Sequence, residues 1–154
     1  MVFVKMKLIS EELDISYFDE IKRIDLNSFE FPWEEKTIRT CLTSQYIIKF
    51  AAVHETKSKS LHGFVFAIPE VEKLHIVKLA VDSSQQRKGL GTMLMKAMEE
   101  FWRNNFGKEL VLEVRSKNLK AIKFYLKYGF KIIERIPQFY SDNNDDALRM
   151  LFLF

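Results

Sequence analysis

The chain has 154 residues, 47% of them apolar and 14 of them phenylalanine, so it is long enough for one well-filled core and short for two domains. Its 24 basic and 21 acidic residues leave a formal net charge of +3, a balance too even to indicate a nucleic-acid-binding protein. Cys41 is the only cysteine, which excludes an intramolecular disulfide, and no apolar run has the length of a membrane span. We therefore predict one domain over residues 1–154, located in the cytoplasm, with Cys41 as a small buried apolar residue.

The first half of the chain begins with a strand pattern and two helical patterns. Residues 2–9 alternate loosely and predict a strand, after which apolar residues at near-helical spacing predict a helix. Ser10 or Ser16 is positioned to cap that helix, and the sequence Phe-Pro-Trp at 31–33 ends it. A second helix is predicted over 34–43. Strands are predicted over 46–55, 61–70 and 73–82, the first two joined by the polar turn TKSKS.

The second half alternates between helices and strands and shows no internal repeat or linker. An apolar face predicts a long helix from Gly91 to about Asn105, which Gly107 is placed to end. A strand over 109–114, a helix over 119–128, and strands over 130–136 and 147–154 follow. The predicted order is β α α β β β α β α β β.

The segment QQRKGLG lies between the strand that ends at Asp82 and the long helix. Its glycines let the backbone approach a ligand closely, and the free N–H groups of a helix N-terminus favour an anion. Arg87 and Lys88 add positive charge. The spacing fits neither the dinucleotide-binding nor the nucleotide-hydrolase glycine motif. The segment alone therefore predicts either a phosphate-binding loop or a tight turn that needs glycine for packing.

Two ordered motifs resolve that choice by resemblance. The pattern Gln86-x-x-Gly89-x-Gly91, within LAVDSSQQRKGLGTMLM, resembles the strand, pyrophosphate loop and helix of the GNAT superfamily of acetyl-CoA-dependent acetyltransferases. The segment LEVRSKNLKAIKFYLKYGF resembles that family's second motif, and the likeness covers roughly residues 8–152. The resemblance implies a single-domain α/β (α+β) GNAT fold. Its mixed, twisted sheet would have about seven strands and about four flanking helices, with two central parallel strands splayed at the acetyl-CoA site.

Three further stretches resemble the RimI-like and NatA catalytic-subunit-like protein N-terminal acetyltransferases. They are FPWEEKTI from Phe31, HIVKLAV from His75 and FYSDNNDDALRM from Phe139. Relatives carry tyrosine where this chain has Phe139, so one hydroxyl of the substrate hairpin is absent. The resemblance implies direct acetyl transfer from acetyl-CoA to the free α-amino group of a protein or peptide N-terminus, without a metal or a covalent enzyme intermediate.

Three residues are candidates for proton transfer. By resemblance, Glu113 is the preferred base, with a pKa that an apolar cleft would raise toward neutrality; the alternative is an exposed strand carboxylate. Tyr125 would donate a proton or hydrogen bond to the departing CoA sulfur, and the alternative is a core tyrosine. His75 is a second candidate base with a suitable intrinsic pKa, although a lone strand histidine is more often structural. The base is Glu113, His75 or a water held by both.

The resemblance also implies the residues that bind the two substrates. The predicted acetyl-CoA-binding residues are Leu79, Ala80, Val81, Gln86, Arg87, Lys88, Gly89, Leu90, Gly91, Thr92 and Asn118. Asn118 also fits a helix N-cap, and both roles are compatible. The predicted acceptor-binding residues are Glu30, Phe31, Pro32, Trp33 and Tyr140, although such aromatic residues are commonly core or lid residues.

Two other functions stay open from the sequence. The first is a GNAT enzyme for a small amine such as a polyamine, an amino acid or an antibiotic, since Glu30, Asp142, Asp145 and Asp146 would suit a polycation. The second is a non-catalytic acetyl-CoA sensor, which the presence of Glu113 and Tyr125 disfavours. The sequence predicts no nucleic-acid or membrane partner, and it leaves open an auxiliary subunit or ribosome association.

Overall fold

The predicted order of strands and helices is confirmed. A computed structural model describes residues 6–10, 13–54 and 60–154. The strands are β1 Met6–Ser10, β2 Ile48–His54, β3 Leu61–Pro69, β4 Lys73–Val81, β5 Glu109–Arg115, β6 Lys131–Ile136 and β7 Ala147–Leu153. The helices are α1 Phe18–Ser28, α2 Glu35–Thr43, α3 Leu90–Asn104 and α4 Leu119–Tyr128, with short 3₁₀ helices at Ile15–Tyr17 and Ser83–Gln85. None of the described helices is long and apolar enough to cross a membrane.

The seven described strands form one mixed sheet in the order β1-β2-β3-β4-β5-β7-β6. The β4–β5 pair is parallel, and the other described pairs are antiparallel. This arrangement confirms the predicted mixed sheet of about seven strands with four α-helices. Because a parallel pair needs a crossover connection, α3 lies between β4 and β5 in the chain and covers one face of the sheet.

Alternate residues of the central strands supply two separate apolar cores. Val65 and Ala67 of β3 join α3 and α4 in the larger core, whereas Phe64 and Phe66 point to the opposite face and pack with α1 and α2. Cys41 of α2 is buried in this second core, as predicted, and burial raises the pKa of its thiol. The strand period of two therefore fixes which helices lie on each face.

A β-bulge at Val77 interrupts that alternation in β4. The pairing with β3 passes from Phe66↔Lys78 directly to Ala67↔Ile76, so Val77 is an extra residue in the ladder. Before the bulge, Ile76 packs in the larger core; after it, Ala80 packs in the core with α1 and α2. His75 and Lys78 consequently lie on the same face of the sheet.

The central parallel strands separate beyond Ile76, which confirms the predicted splay. The β4–β5 ladder runs from Lys73↔Glu109 to Ile76↔Leu112 and stops there. β4 continues to Val81, while β5 continues to Arg115 paired only with β7 among the described strands. The edge of β4 from Val77 to Val81 is therefore not paired with β5, which leaves backbone groups along it available to a ligand.

The predicted cap of the first helix is wrong, and Gly107 ends α3 without taking the left-handed conformation itself. Ser10 lies in β1, and Asp14 caps the 3₁₀ helix Ile15–Tyr17 by accepting from the N–H of Ser16 at 2.9 Å, whereas Tyr17 at the start of α1 makes no side-chain capping bond. At the end of α3, Phe106 takes the left-handed conformation with φ of 62°, and the N–H of Gly107 donates to the Trp102 carbonyl at 2.9 Å. Gly107 is also needed for a close approach, since a Cβ there would lie 2.2 Å from the Trp102 ring. Most of the predicted TKSKS turn and the start of the first strand lie outside the described residues.

Candidate active site

A cavity of about 860 Å³ opens where β4 and β5 separate. Its walls are the end of β4, the loop before α3, the first turns of α3, and one side of α4. The predicted cofactor residues that line it are Leu79, Ala80, Val81, Gln86, Arg87, Gly89, Leu90, Gly91, Thr92 and Asn118. Lys88 is not part of the lining, and its ammonium donates to the Gln85 side chain at 3.2 Å. The structure thus brings the strand end and the glycine loop together around one cavity.

The backbone of the glycine loop is shaped to receive an anion. Arg87 and Gly89 have φ values of 61° and 81°, which turn the chain so that α3 begins immediately after Gly89. The side-chain amide of Gln86 donates to the Val81 carbonyl at 3.2 Å, and Lys120 of α4 donates to the same side chain's oxygen. The N-terminal N–H groups and dipole of this 15-residue helix point into the cavity mouth, where they favour a phosphate.

Asn118 caps a helix and lies where the predicted contact with the cofactor requires it. Its side-chain oxygen accepts from the N–H of Ala121 at 3.2 Å, which makes it the N-cap of α4. The same residue lines the cavity. A cap of this kind holds the side chain in one orientation, so the start of α4 presents a fixed polar group to a ligand.

The two candidate bases form one hydrogen-bonded pair. Nε2 of His75 lies 2.5 Å from Oε2 of Glu113, and Arg149 donates to the other carboxylate oxygen of Glu113 at 3.0 Å. The hydrogen bond to Glu113 raises the pKa of His75 despite partial burial. Burial alone would raise the pKa of Glu113, but the hydrogen bonds and charges of His75 and Arg149 outweigh it and lower that pKa. The predicted upward shift for Glu113 is therefore wrong, because the carboxylate lies between two cationic partners.

Tyr125 lies in the wall between the cavity and the larger core. Its ring packs edge-on against Phe124 at 5.2 Å and Phe130 at 5.5 Å between ring centroids, and the residue is 9% exposed. Burial raises the pKa of its phenol, so the hydroxyl keeps its proton throughout the physiological range. A buried phenol of this kind is a hydrogen-bond donor for an anionic or leaving atom in the cavity.

Arg115 connects the two predicted acceptor-binding loops. Its guanidinium carbon lies 4.5 Å from the ring centroid of Phe31 and 3.9 Å from that of Tyr140. Arg115 also pairs with Asp142 at 2.5 Å and with Asp145 at 3.5 Å in the turn between β6 and β7. These contacts place the α1–α2 loop and the β6–β7 connection side by side, at the end of β5 that carries Glu113.

Comparison with known proteins agrees with this architecture. Residues 18–130 match the profile of the Acetyltransferase (GNAT) family. The chain belongs to the GNAT acetyltransferase family. It is 30% identical over 129 residues to the ribosomal protein bS18-alanine N-acetyltransferase of Escherichia coli K12, covering 82% of this chain and 84% of the relative. The predicted family and its acetyltransferase class are therefore confirmed.

One further relative resembles the chain in sequence, and one solved structure resembles it in fold. An N-alpha-acetyltransferase of Sulfurisphaera tokodaii is 40% identical over 82 residues, which are 51% of this chain and 47% of the relative. The chain thus matches about half the length of that relative. The crystal structure of Arabidopsis thaliana NAA60 in complex with acetyl-CoA superposes with a TM-score of 0.84 at 17% identity, covering 97% of this chain and 99% of that one. Acetyl-CoA is also the co-substrate that the resemblance of this chain to GNAT enzymes implies.

Trp33 and its neighbours pack beneath the loop that is predicted to bind the acceptor. The indole lies against Phe66 at 5.9 Å between centroids, and the backbone N–H of Trp33 donates to Asp25 at 2.6 Å. Pro32 is half-buried beside it, while Glu30 is exposed and acts electrostatically on Lys117. Trp33 is therefore part of the wall beneath the acceptor loop.

A buried ion pair that the sequence did not predict fixes this wall to β4. The ammonium of Lys78 pairs with the carboxylate of Asp25, and their side chains are only 7% and 1% exposed. The same ammonium lies 4.2 Å from the Phe29 ring centroid and 4.5 Å from that of Trp33. Burial lowers the pKa of Lys78, and Asp25 opposes that shift. The pair holds the end of α1 and the acceptor loop against the open stretch of β4.

Sequence reasoning also missed part of the cavity lining. The missed residues are Ser28, Phe29, Gln85, Lys96, Glu99, Lys120, Ala121, Phe124, Lys127 and Tyr128. The lysines among them lie on α3 and α4, and their charge is the signal that was available. Because Lys96, Lys120 and Lys127 face one cavity, they add to the attraction of an anionic cofactor.

Replacing Gly89 by alanine is expected to weaken acetyl-CoA binding by about 5- to 30-fold, because a left-handed conformation costs an L-residue about 1–2 kcal/mol. A Cβ at this position meets nothing within 4 Å, so the loss originates in the backbone rather than in a clash. Isothermal titration of acetyl-CoA measures the effect. Gly89→Asn is the matched control, since asparagine tolerates this conformation and should retain most of the affinity. Equal losses in both variants would contradict the backbone explanation.

Proposed function

We propose that the protein transfers the acetyl group of acetyl-CoA directly to the free α-amino group of protein or peptide N-termini. The observation that carries the proposal is the position of the His75–Glu113 pair, on β4 and β5 beside the point where those strands separate. The cavity approaches this point from one side, and the Phe31–Arg115–Tyr140 stack lies on the other. The names of the two relatives, which denote N-terminal acetylation, support the same substrate class.

The residues on the acceptor side remove the proton from the α-amino group. An α-amino group has a pKa of about 8, so a base of moderate strength suffices to keep it neutral. The His75–Glu113 pair titrates as a unit. At a pH above the raised pKa of His75, the imidazole is neutral and accepts the proton of the amine. Glu113 stays ionised beside Arg149 and stabilises the imidazolium that forms. Activity should therefore rise with pH through the pKa of the pair.

The residues on the cofactor side hold and polarise the donor. Acetyl-CoA supplies the activated acyl group as a thioester. The open edge of β4 over residues 79–81 offers backbone groups to an extended chain, and the glycine loop offers N–H groups to a pyrophosphate. Tyr125 keeps its proton and donates a hydrogen bond toward the departing sulfur.

The direct test is CoA release by the purified protein with short peptides that begin with Ala, Ser, Met-Leu or Met-Glu. Turnover is expected with free N-termini and not with an N-terminally blocked peptide that contains lysine. Spermidine serves as the competing substrate. Turnover on spermidine alone would replace the proposal by a small-amine acetyltransferase, and acetyl-CoA binding without any turnover would favour the sensor.

The charges around the acceptor cleft disfavour a polycation as substrate. Asp142 and Asp145 pair with Arg115, Asp145 also pairs with Lys117 at 2.9 Å, and Asp146 pairs with Arg135 at 2.7 Å. Three of the four acidic residues that suggested a polyamine are thus paired within the protein, which weakens the case for that substrate. Cytoplasmic location, and an auxiliary subunit or the ribosome as a partner, stay predictions.

Tyr125→Phe is expected to lower kcat by about 100-fold, the scale of a positioned proton donor, with little change in the KM for acetyl-CoA. The ring still packs against Phe124 and Phe130, so the fold should be retained. Steady-state kinetics with a peptide substrate measures both constants. Tyr46→Phe, at a side chain 75% exposed and outside the cavity lining, is the control that should match the parent. A kcat within 2-fold of the parent, on the order of experimental scatter, would remove Tyr125 from the mechanism.

A further inference from the structure

A row of ionisable side chains crosses the acceptor face of the sheet. Nδ1 of His75 lies 3.2 Å from the Glu70 carboxylate, and Nε2 lies 2.5 Å from Glu113. Arg149 then connects Glu113, at 3.0 Å, to Glu134, at 2.7 Å. These residues come from the β3–β4 turn, β4, β5, β7 and β6 in turn. Both ring nitrogens of His75 are thus held by carboxylates from different parts of the fold.

The two carboxylates beside His75 are in different environments. Glu113 is 9% exposed and faces the site, whereas Glu70 is 38% exposed at the end of β3 and pairs with Lys73 at 3.0 Å. On the acceptor side, Tyr140 lies close enough to Glu113 for the carboxylate charge to act on its phenol. Glu70 is therefore placed like the third group of a nucleophile–base–carboxylate arrangement, behind the imidazole and away from the reacting amine.

We propose that Glu70 is a positioning residue for this reaction, which anchors Nδ1 of His75 and keeps Nε2 turned toward Glu113 and the acceptor cleft. The inference rests on the proposed function. An imidazole with one nitrogen held by a carboxylate has a fixed tautomer and ring orientation. A ring without that contact is free to turn about its χ2 angle, and the short contact with Glu113 is lost in part of the population.

The anchor also affects the charge of the ring. The groups that act on His75 are Glu70, with Lys73 beside it, and Glu113, with Arg149 and Tyr140 beside it. Both carboxylates favour the imidazolium. Removing the charge of Glu70 while keeping a hydrogen-bond acceptor should therefore lower the pKa of His75 and leave its orientation intact.

The test is Glu70→Gln, in which the amide oxygen still accepts from Nδ1. The acidic limb of the kcat/KM profile for a free N-terminal peptide should move to lower pH by about half a unit, since Glu70 is partly exposed and its charge is screened. Glu70→Ala should show the same shift together with an additional loss of kcat of about 10-fold, because the ring is no longer held. Glu72→Gln is the matched control in the same turn, because the Glu72 side chain is exposed and pairs with Lys108. Neither kcat nor the pH profile of kcat/KM should change in this variant.

An NMR titration of the His75 ring supplies a readout that does not depend on the substrate. Its signal, assigned by its loss in His75→Gln, should titrate at a lower pH in Glu70→Gln than in the parent. An unchanged ring titration in Glu70→Gln, or an equal shift in Glu72→Gln, would overturn the role of Glu70. If the ring titration shifts as expected but no N-terminal peptide is acetylated, Glu70 controls His75 and the proposed function is wrong.

Discussion

Replacing Glu113 by glutamine is expected to lower kcat/KM for a free N-terminal peptide by about 100- to 1,000-fold, the lower part of the range of general acid–base contributions. The amide keeps the size of the side chain but cannot stabilise an imidazolium at His75, 2.5 Å away. The residual activity should also change its pH dependence. In the parent, the hydrogen bond to Glu113 raises the pKa of His75. Activity should therefore fall on acidification as the pH passes down through that raised pKa. In Glu113→Gln the pKa falls, and the acidic limb moves to lower pH.

Kinetics over a pH range measure both parts of this result. Glu109→Gln is the matched control, because Glu109 lies on the same strand at the far end of the β4–β5 ladder. It should match the parent in rate and pH profile. The dissociation constant for acetyl-CoA should be unchanged in Glu113→Gln, since Glu113 does not line the cavity. A variant with the parent's rate and pH profile would show that the pair is not the base.

Replacing Asp25 by alanine is expected to lower the free energy of unfolding by about 3–5 kcal/mol, the cost of leaving a buried charge without its partner. Lys78 would stay 7% exposed, with its ammonium between Phe29 and Trp33 and no carboxylate beside it. The Trp33 N–H would also lose its acceptor. Urea denaturation followed by circular dichroism measures the change.

The pH dependence and a double variant identify the cause. Burial lowers the pKa of Lys78, and without Asp25 it should be lower still, so the unfolded chain binds more protons at this site. The deficit of Asp25→Ala should therefore shrink as pH rises through the alkaline range. Adding Lys78→Met removes the unpaired charge and should recover part of the stability. If the double variant is as unstable as Asp25→Ala, the loss comes from the Trp33 contact instead.

The local pattern of the sequence was sufficient for the elements, whereas the choice of a phosphate-binding loop over a tight turn needed the resemblance of two motifs. Strand and helix periods are properties of neighbouring residues, and the glycines of the loop lie between a strand and a helix in the sequence itself. The resemblance of two motifs then predicted the splay, which the end of the β4–β5 ladder at Ile76 confirms. Gly107 shows the limit of this reasoning, because its contact with the Trp102 ring is tertiary.

The charge state of the site required contacts between distant residues. His75 and Glu113 are 38 positions apart and meet because β4 and β5 are parallel neighbours. Arg149 reaches Glu113 from β7, so the direction of the Glu113 pKa could not be read from its own strand. Arg115 and Lys78 likewise look like ordinary strand cations in the sequence, and only the fold shows their aromatic and carboxylate partners.

The bulge at Val77 also sets the phase of β4 beyond it. In a regular ladder that kept Val77 as a paired residue, Lys78 would follow Ile76 in phase and turn toward the larger apolar core, away from Asp25. Deletion of Val77 would instead make Ile76 and Lys78 consecutive partners of Ala67 and Phe66, so every later residue of the strand would keep its present face. Removal of this one residue is therefore expected to preserve the pairing of Lys78 with Asp25.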